Sequence, residues 1–187
     1  MIETGRLVLR NWTEADIEPF LRHTNTPQVM RWLGGVAEAG EAGARIRERI
    51  MAWQEERGFI FWVVERKADG ALLGFCGLKI ADSVGSPIEG MLEVGWRLRE
   101  DAWGQGYAKE AAVASLDLAF GRLGASHVVA LTVHQNAASQ GLMKRLRMTR
   151  RKDMDFQSTD MPAELNPIIV YRIEAEEWRA ARAAALS

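Results

Sequence analysis

Apolar and polar residues alternate along several short stretches of the chain, and this alternation predicts β-strands. Other stretches of similar length are rich in β-branched and aromatic residues, which also predicts strands. The predicted strands are residues 6–10, 59–66, 72–80, 91–98, 127–133 and 168–173, with residues 148–156 as a further strand candidate. The Ala68-Asp69-Gly70 turn joins the second and third strands, so these two form a predicted hairpin.

The region between the first two strands predicts three helices. The first begins at a capping box in residues 13–16, and the second at Thr26-Pro27, where Thr is the N-cap and Pro the first helical residue. Gly34-Gly35 ends the second helix, and the third ends near Gly58. The residues predicted to be buried on the first and third helices are Ile17, Phe20, Leu21, Ile46, Ile50 and Trp53.

The second half of the chain predicts three more helices. One begins after Gly106, one covers residues 136–146, and one follows the last strand. The apolar stripe of the helix after Gly106 consists of Ala112, Val113, Leu116, Ala119, Phe120 and Leu123.

The order of these elements indicates an α+β fold. Hairpins come early and one βαβ unit lies in the middle, which predicts a mixed, mostly antiparallel sheet with helices on both faces. The sequence contains no repeat and no linker, so residues 1–187 are predicted to form a single domain. A right-handed βαβ crossover places the turn near Gly106 at the carboxyl end of its strand.

Composition excludes several classes of protein. Apolar residues make up 48% of the 187 residues and the net charge is -1, which argues against disorder and against direct nucleic-acid binding. The strongly apolar run 59–64 is too short to span a membrane. A single cysteine and no signal-like N-terminus favour a cytoplasmic protein. The three histidines and Cys76 lack metal-ligand spacing, so no metal is expected.

The glycine-containing turn at residues 104–106 lies where a helix begins. Backbone N–H groups at a helix N-terminus bind anions, and glycine lets the backbone approach a phosphate closely. The alternative is a tight strand–helix turn that binds nothing. The turn is not a P-loop, because Tyr107 follows Gly106. It also lacks the third glycine of a Rossmann fingerprint, which argues against a nucleotide-binding oxidoreductase.

Four motifs in order resemble a known family. "TGRLVLRNWTEAD", "EVGWRLRED", "WGQGYAKEA" and "NAASQGLMKRL" are similar to the GNAT superfamily of acyl-CoA-dependent N-acyltransferases. Within it, the chain looks like the RimJ/RimL-type protein N-terminal acetyltransferases, and the resemblance covers nearly the whole chain. Trp103, in place of a common Gln or Arg, is frequent in that branch.

The resemblance implies that acetyl-CoA is the co-substrate and assigns residues to it. The turn would hold the coenzyme pyrophosphate, and the strand before it would hold the pantetheine arm through backbone hydrogen bonds. The next helix would contribute an asparagine to the arm and a serine near the sulfur. The assigned residues are Gly104, Gln105, Gly106, Tyr107 and Ala108 in the turn, Val94, Gly95, Trp96, Arg97 and Leu98 in the strand, and Asn136 and Ser139.

Glu93 and Ser139 are the catalytic candidates. Glu93 would act as the base through a water molecule; the alternative is an ordinary solvent-facing strand glutamate with a weakly basic carboxylate. Ser139 or a water molecule would protonate the leaving thiolate, because Met143 occupies the place where many family members have a tyrosine. The alternative for Asn136 and Ser139 is purely structural, since both residue types favour helix N-termini.

The predicted function is transfer of acetyl from acetyl-CoA to a primary amine, directly and through a tetrahedral intermediate. The amine is either a protein N-terminus or a small molecule. The alternative is a catalytically silent acyl-CoA-binding sensor or assembly module of the same fold. Helices in 13–58 and the loop 81–90 would shape the acceptor side, with Trp32 and Trp53 as candidate lining residues. An exposed sheet edge leaves homodimerisation open.

Overall fold

An eight-stranded sheet forms the centre of the protein. The computed structural model describes the backbone of residues 1–186 and the side chains of residues 1–182. The strands lie in the order β1-β2-β3-β4-β5-β6-β8-β7, and only the β5–β6 pair is parallel. Their bounds are β1 Ile2–Glu3, β2 Leu7–Arg10, β3 Phe61–Arg66, β4 Leu72–Ile80, β5 Leu92–Leu98, β6 His127–Val133, β7 Thr149–Arg150 and β8 Ile168–Glu174.

Seven α-helices cover the sheet: α1 Glu14–Thr24, α2 Pro27–Met30, α3 Ala39–Arg45, α4 Ala52–Arg57, α5 Tyr107–Phe120, α6 Ala137–Arg145 and α7 Ala175–Leu186. A π-helical stretch, Ile46–Met51, joins α3 to α4 and was not predicted. The capping box before α1 is confirmed, with Thr13 and Asp16 bonding reciprocally. No helix among the described residues is long and apolar enough to cross a membrane.

The two faces of the sheet carry different helices, so the predicted α+β fold is confirmed. The α1 face bears the side chains of Phe75 and Arg97, and the Phe20 ring of α1 stacks on Phe75 at 5.6 Å between centroids. The α5 face bears Cys76, whose sulfur lies 3.9 Å from the Ser115 hydroxyl of α5. Because side chains alternate along a strand, every second residue of β4 and β5 points to the same helix layer.

Small side chains allow α5 to lie close to the sheet. Ala111, Ala112 and Ala119 are fully buried, as is Leu116, so the predicted stripe is confirmed for its central positions. The prediction for Leu123 was wrong, because the helix ends at Phe120 and Leu123 is 39% exposed.

The strand predicted over residues 148–156 is mostly absent. Only Thr149–Arg150 pairs with β8, and a 3₁₀ turn over Lys152–Met154 then interrupts the pairing. Phe156 returns to β8 through an isolated bridge to Ile168. Asp155 stabilises this interruption of the strand, since its carboxylate accepts hydrogen bonds from the Arg150 guanidinium and the Val170 N–H. Local hydrogen bonding of this kind competes with a continuous strand.

Helix α6 ends in a Schellman motif in which an arginine, Arg147, occupies the position that usually holds glycine. The Met148 N–H donates to the Met143 carbonyl and the Arg147 N–H donates to the Lys144 carbonyl, both at 3.0 Å. Arg147 has φ 63°, the left-handed conformation that disfavours a residue with a Cβ.

We therefore predict that Arg147→Gly stabilises the protein by about 1 kcal/mol, because glycine adopts positive φ without the steric penalty. Thermal unfolding should show a melting temperature raised by about 2–4 °C for a chain of this size. Arg145→Gly, two residues earlier and inside the helix, is the matched control and should destabilise by a similar amount. A lower melting temperature for Arg147→Gly would contradict the assignment of strain to this position.

Candidate active site

The parallel strands β5 and β6 separate almost as soon as they pair. Glu93 opposite Val129 is the one register pair between them among the described residues. Both strands are fully paired on their other edges, β5 with β4 and β6 with β8. The carboxyl halves of β5 and β6 therefore border a gap in the sheet, and the turns that follow both strands lie at the same end of it.

Backbone groups of three β5 residues point into this gap. The Arg99 N–H donates to the Leu73 carbonyl at 2.8 Å, so alternate residues back along β5 face β4. Val94, Trp96 and Leu98 consequently face the gap. The Leu98 carbonyl already accepts a hydrogen bond from the Trp103 indole at 2.8 Å.

Only part of the predicted pantetheine strand can therefore offer backbone groups to a ligand. Trp96, with its N–H and carbonyl, and the N–H of Leu98 are available at the gap. The backbone N–H and carbonyl groups of Gly95 and Arg97 face β4. They are therefore not available to the extended arm that was predicted to bind them. Gly95 has a steric role instead, because a Cβ there would lie 2.7 Å from the Phe61 ring.

The glycine turn presents a run of free N–H groups. Gly104 and Gly106 have φ values of 72° and 82°, and Gly106 is the N-cap of α5. Among the described residues, no acceptor lies within hydrogen-bonding distance of the backbone N–H groups of residues 104–109. Consecutive N–H groups at a helix N-terminus form a concave anion site. The structure thus brings together all five turn residues named from the sequence.

Arg6 borders this turn and was not recognised from the sequence. Its Nη1 donates to the Gln105 carbonyl at 2.9 Å, and its guanidinium lies 4.5 Å from the centroid of the Tyr107 ring. Its Nε donates to Glu110 at 2.7 Å, so the arginine ties the N-terminal segment to the first turn of α5. The separation of about a hundred residues gives no local pattern from which the contact could be predicted.

Asn136 and Ser139 lie at the start of α6, at the same end of the sheet as the turn. The Asn136 side-chain carbonyl accepts a hydrogen bond from the Ser139 N–H at 3.1 Å, which makes Asn136 a helix cap. The interpretation of Asn136 as a purely structural helix cap is therefore correct for its side-chain oxygen. Met143 is buried beneath the helix, and Tyr171 of β8 donates to Gln140 of α6 at 3.1 Å, a contact absent from the sequence prediction.

Glu93 is buried, and the interpretation as a solvent-facing glutamate is wrong. Its residue exposure is 7%. Burial raises the pKa of Glu93 to about 7, although the Lys79 ammonium, 3.5 Å from its Oε2, acts in the opposite direction. That oxygen is buried and accepts no hydrogen bond from the described residues. A carboxyl with this pKa exchanges protons near neutral pH.

The Lys79 ammonium provides the positive charge beside the Glu93 carboxyl. Its ammonium lies 2.6 Å from Asp82 as well as 3.5 Å from Glu93. Burial alone would lower the pKa of Lys79, but the two carboxylates outweigh it and raise that pKa. Lys79 therefore remains a cation at neutral pH.

A cavity of about 250 Å³ lies on the α1 face, between the sheet and the helices α1, α3 and α4. Lys79 and Arg97 are part of its wall and share a face of the sheet with Glu93, which is not itself a lining residue. Trp53 lines this cavity, whereas Trp32 packs elsewhere, against Val133 and Leu165.

Comparison with known protein families identifies the family to which this fold and site belong. The family described as Acetyltransferase (GNAT) domain matches residues 6–149. This chain belongs to the GNAT acetyltransferase family. The match includes β5, the turn, α5 and α6, and GNAT enzymes use acetyl-CoA as co-substrate.

Individual relatives of this GNAT family member are themselves named as acetyltransferases or transacetylases. The uncharacterized N-acetyltransferase YoaA of Bacillus subtilis is 27% identical over 148 residues, which are 78% of this chain and 81% of YoaA. The FsC-acetyl coenzyme A-N(2)-transacetylase of Aspergillus fumigatus is 31% identical over 65% of this chain and 52% of its own length.

Solved structures have the same fold. An Agrobacterium tumefaciens acetyltransferase is 25% identical, covers 92% of this chain and 93% of its own, and superposes with a TM-score of 0.76. A Vibrio cholerae structure described as a ribosomal-protein-serine acetyltransferase is 22% identical, with coverage of 92% and 96% and a TM-score of 0.71. At that identity the second likeness concerns the fold alone.

We predict that Gly106→Ala weakens acetyl-CoA binding by about tenfold, measured by calorimetry. Alanine disfavours the positive φ of this position, so the turn shifts and its N–H groups no longer converge. Gly124→Ala is the matched control, because Gly124 has φ 63° outside the turn. The control should lose comparable stability and keep its affinity. Equal affinity of both variants would remove the anion-binding role from the turn.

Proposed function

We propose that the protein transfers acetyl from acetyl-CoA to a primary amine, with Glu93 as the general base. The observation that carries this proposal is the position of a buried carboxyl, with a pKa near 7, where β5 and β6 begin to separate. An ordinary structural carboxylate would have a surface position or a hydrogen-bonded partner. Glu93 is buried, its Oε2 accepts no hydrogen bond from the described residues, and the Lys79 ammonium lies 3.5 Å from that oxygen.

The coenzyme would bind along the gap from the α5 side. The free N–H groups of residues 104–109 fit a pyrophosphate, with the Arg6 cation beside the turn. The backbone of Trp96 and the N–H of Leu98 fit an extended arm added to β5, and one of these N–H groups would polarise the thioester carbonyl. Asn136 retains its amide NH₂ for the arm, and Ser139 would lie near the sulfur.

The amine would approach from the cavity on the α1 face. Glu93, through a water molecule, would accept a proton from the amine as its nitrogen attacks the thioester carbon. A C–N bond forms, the C–S bond breaks, and the thiolate takes one proton, so the products are an amide and the free thiol. We assign delivery of that proton to Ser139, whose hydroxyl takes a proton from water as it gives one to the thiolate, since the buried Met143 has none to give.

Direct transfer is favoured over a covalent acyl-enzyme. The single thiol, Cys76, is fully buried on the α5 face, and burial raises its pKa to about 12. A thiol that stays protonated at neutral pH is a poor nucleophile.

We place the enzyme in the RimJ/RimL-type branch and in the cytoplasm. The N-terminal motif and Trp103 support the branch, and the single buried cysteine fits a reducing compartment. If the protein binds acetyl-CoA but acetylates no amine, it is instead the catalytically silent acyl-CoA-binding module.

Glu93→Gln should lower the turnover number by about 10²- to 10³-fold and leave acetyl-CoA affinity within about twofold, because the side chain acts on the amine. In the wild type, kcat/KM should rise with pH through an apparent pKa near 7, as the carboxyl loses its proton. The rise near pH 7 should disappear in the variant. Steady-state thiol release between pH 5.5 and 9 measures both effects; an unchanged rise would assign the base to another group.

Glu93→Gln should also raise stability above neutral pH. The folded pKa of about 7 exceeds the ordinary value of 4.5, so the folded protein holds a proton that the unfolded chain has released between these values. Stability of the wild type therefore falls as pH rises through this window. The variant should exceed the wild type by about 1–3 kcal/mol at pH 8 and match it near pH 4.5.

Urea unfolding at both pH values tests this difference. Glu18→Gln is the control, because Glu18 is an exposed glutamate on α1 with an arginine partner. It should change stability little at either pH. A variant of Glu93 that is less stable than the wild type at pH 8 would contradict the raised pKa.

A further inference from the structure

The cavity on the α1 face has an excess of positive charge. Four cationic residues form part of its wall, Arg45, Arg49, Lys79 and Arg97, against one lining carboxylate, Asp82. Asp82 is shared between Lys79 at 2.6 Å and Arg49 at 3.7 Å. Arg45 pairs at 3.8 Å with Glu41 on the surface. The described part of the chain contains no carboxylate within 4.0 Å of Arg97.

Arg97 is held in place by neutral groups. Its Nε and Nη2 donate to the Thr24 carbonyl at 3.3 Å and 2.9 Å, at the last turn of α1. Its guanidinium lies 4.9 Å from the centroid of the Phe20 ring. A guanidinium has five N–H donors, and these contacts use two of them.

The surroundings of Arg97 make an anionic partner favourable. Burial lowers the pKa of Arg97 to about 10, so the guanidinium is desolvated but still a cation at neutral pH. A buried charge without a counter-ion is unfavourable, and a carboxylate matches the planar donor geometry of arginine. The missing partner is therefore a carboxylate supplied from the cavity.

The rest of the cavity wall fits an apolar group of limited size. Phe61 and Phe75 stack at 5.0 Å between centroids, and Ile46, Ile50 and Trp53 enclose the opposite side. A volume of about 250 Å³ lies below the roughly 300–1,000 Å³ of pockets for drug-sized ligands. The cavity thus suits a small molecule.

We propose that the acceptor amine is an amino acid with an apolar side chain, and that Arg97 binds its carboxylate. This inference rests on the proposed acetyl transfer and selects a small molecule over a protein N-terminus. Glu93 and Arg97 lie on the same face of β5, with Cα atoms roughly 13 Å apart for four strand residues. The Phe61 ring lies over Gly95 between them, so the carboxylate would face the Arg97 guanidinium and the amine would reach Glu93 through the water molecule of the proposed mechanism. The carboxylate is unchanged by the transfer, which forms the N-acetyl amino acid and free coenzyme A thiol.

Matched acceptors test this proposal. L-leucine, L-methionine and L-phenylalanine are each compared with the amide and with the decarboxylated amine, by thiol release with saturating acetyl-CoA. At least one free amino acid should be acetylated with kcat/KM about 10- to 100-fold above its amide and amine, as expected for a hydrogen bond between charged groups. Comparison at fixed concentration of the unprotonated amine removes the effect of their different amine pKa values.

Arg97→Gln should abolish this preference. The ratio of kcat/KM for the free amino acid to kcat/KM for its amide should fall to about one. Arg97→Lys should recover part of the preference, since lysine keeps the charge but not the fork of donors. Arg22→Gln, on the exposed side of α1, is the control for unrelated loss of charge and should behave as the wild type.

A binding measurement separates selectivity from stability. N-acetyl-L-phenylalanine and its amide are titrated into the wild type and Arg97→Gln by calorimetry, and only the wild type should prefer the free acid. If Arg97→Gln lowered kcat/KM by the same factor for all acceptors, Arg97 would be a structural residue and the proposal would be overturned. Acetylation of peptide N-termini without any amino acid, or acetyl-CoA binding without turnover of the amino acids, would also overturn it. Failure to bind acetyl-CoA would instead contradict the proposed function.

Discussion

The site depends on where β5 and β6 stop pairing. Glu93 opposite Val129 joins the only parallel strands among the described residues, and beyond this pair the two strands separate. The pairing places Glu93, whose side chain is buried, at the closed end of the gap. The separation leaves backbone groups of Trp96 and Leu98 without a strand partner. One feature of the sheet therefore supplies both a carboxyl with a raised pKa and an edge to which an extended ligand can add.

The same gap connects two surfaces with different chemistry. On the α5 side, unpaired N–H groups and Arg6 form a site for an anion. On the α1 side, the cavity is mostly apolar, with Lys79 and Arg97 in its wall. A coenzyme and an amine can thus reach the gap from opposite faces of the sheet. This arrangement supports the proposed direct transfer, which needs no nucleophilic side chain.

Most of the fold could be predicted from local patterns in the sequence. Strand alternation, the capping box and the position of the turn before α5 each depend on neighbouring residues, and these predictions are confirmed except for the strand over residues 148–156. Burial of Glu93 could not be predicted in this way, because alternation shows which residues share a face but not what covers that face. The contacts of Arg6 with Glu110 and of Arg97 with Thr24 join distant segments, so only the folded chain shows them. For Asn136, the structural alternative stated from the sequence is confirmed for its side-chain oxygen, which caps α6, while its contact with the coenzyme stays a prediction.

The most direct test is the pKa of Glu93 itself. Side-chain carboxyl ¹³C shifts of glutamate-labelled protein, followed by NMR from pH 4 to 9, give this value without any assay of activity. Glu93→Gln assigns the resonance by its disappearance. The account predicts a midpoint near pH 7, well above the ordinary value of 4.5. A midpoint at or below 4.5 would show that the carboxylate is stabilised in its charged form and would contradict its role as the base.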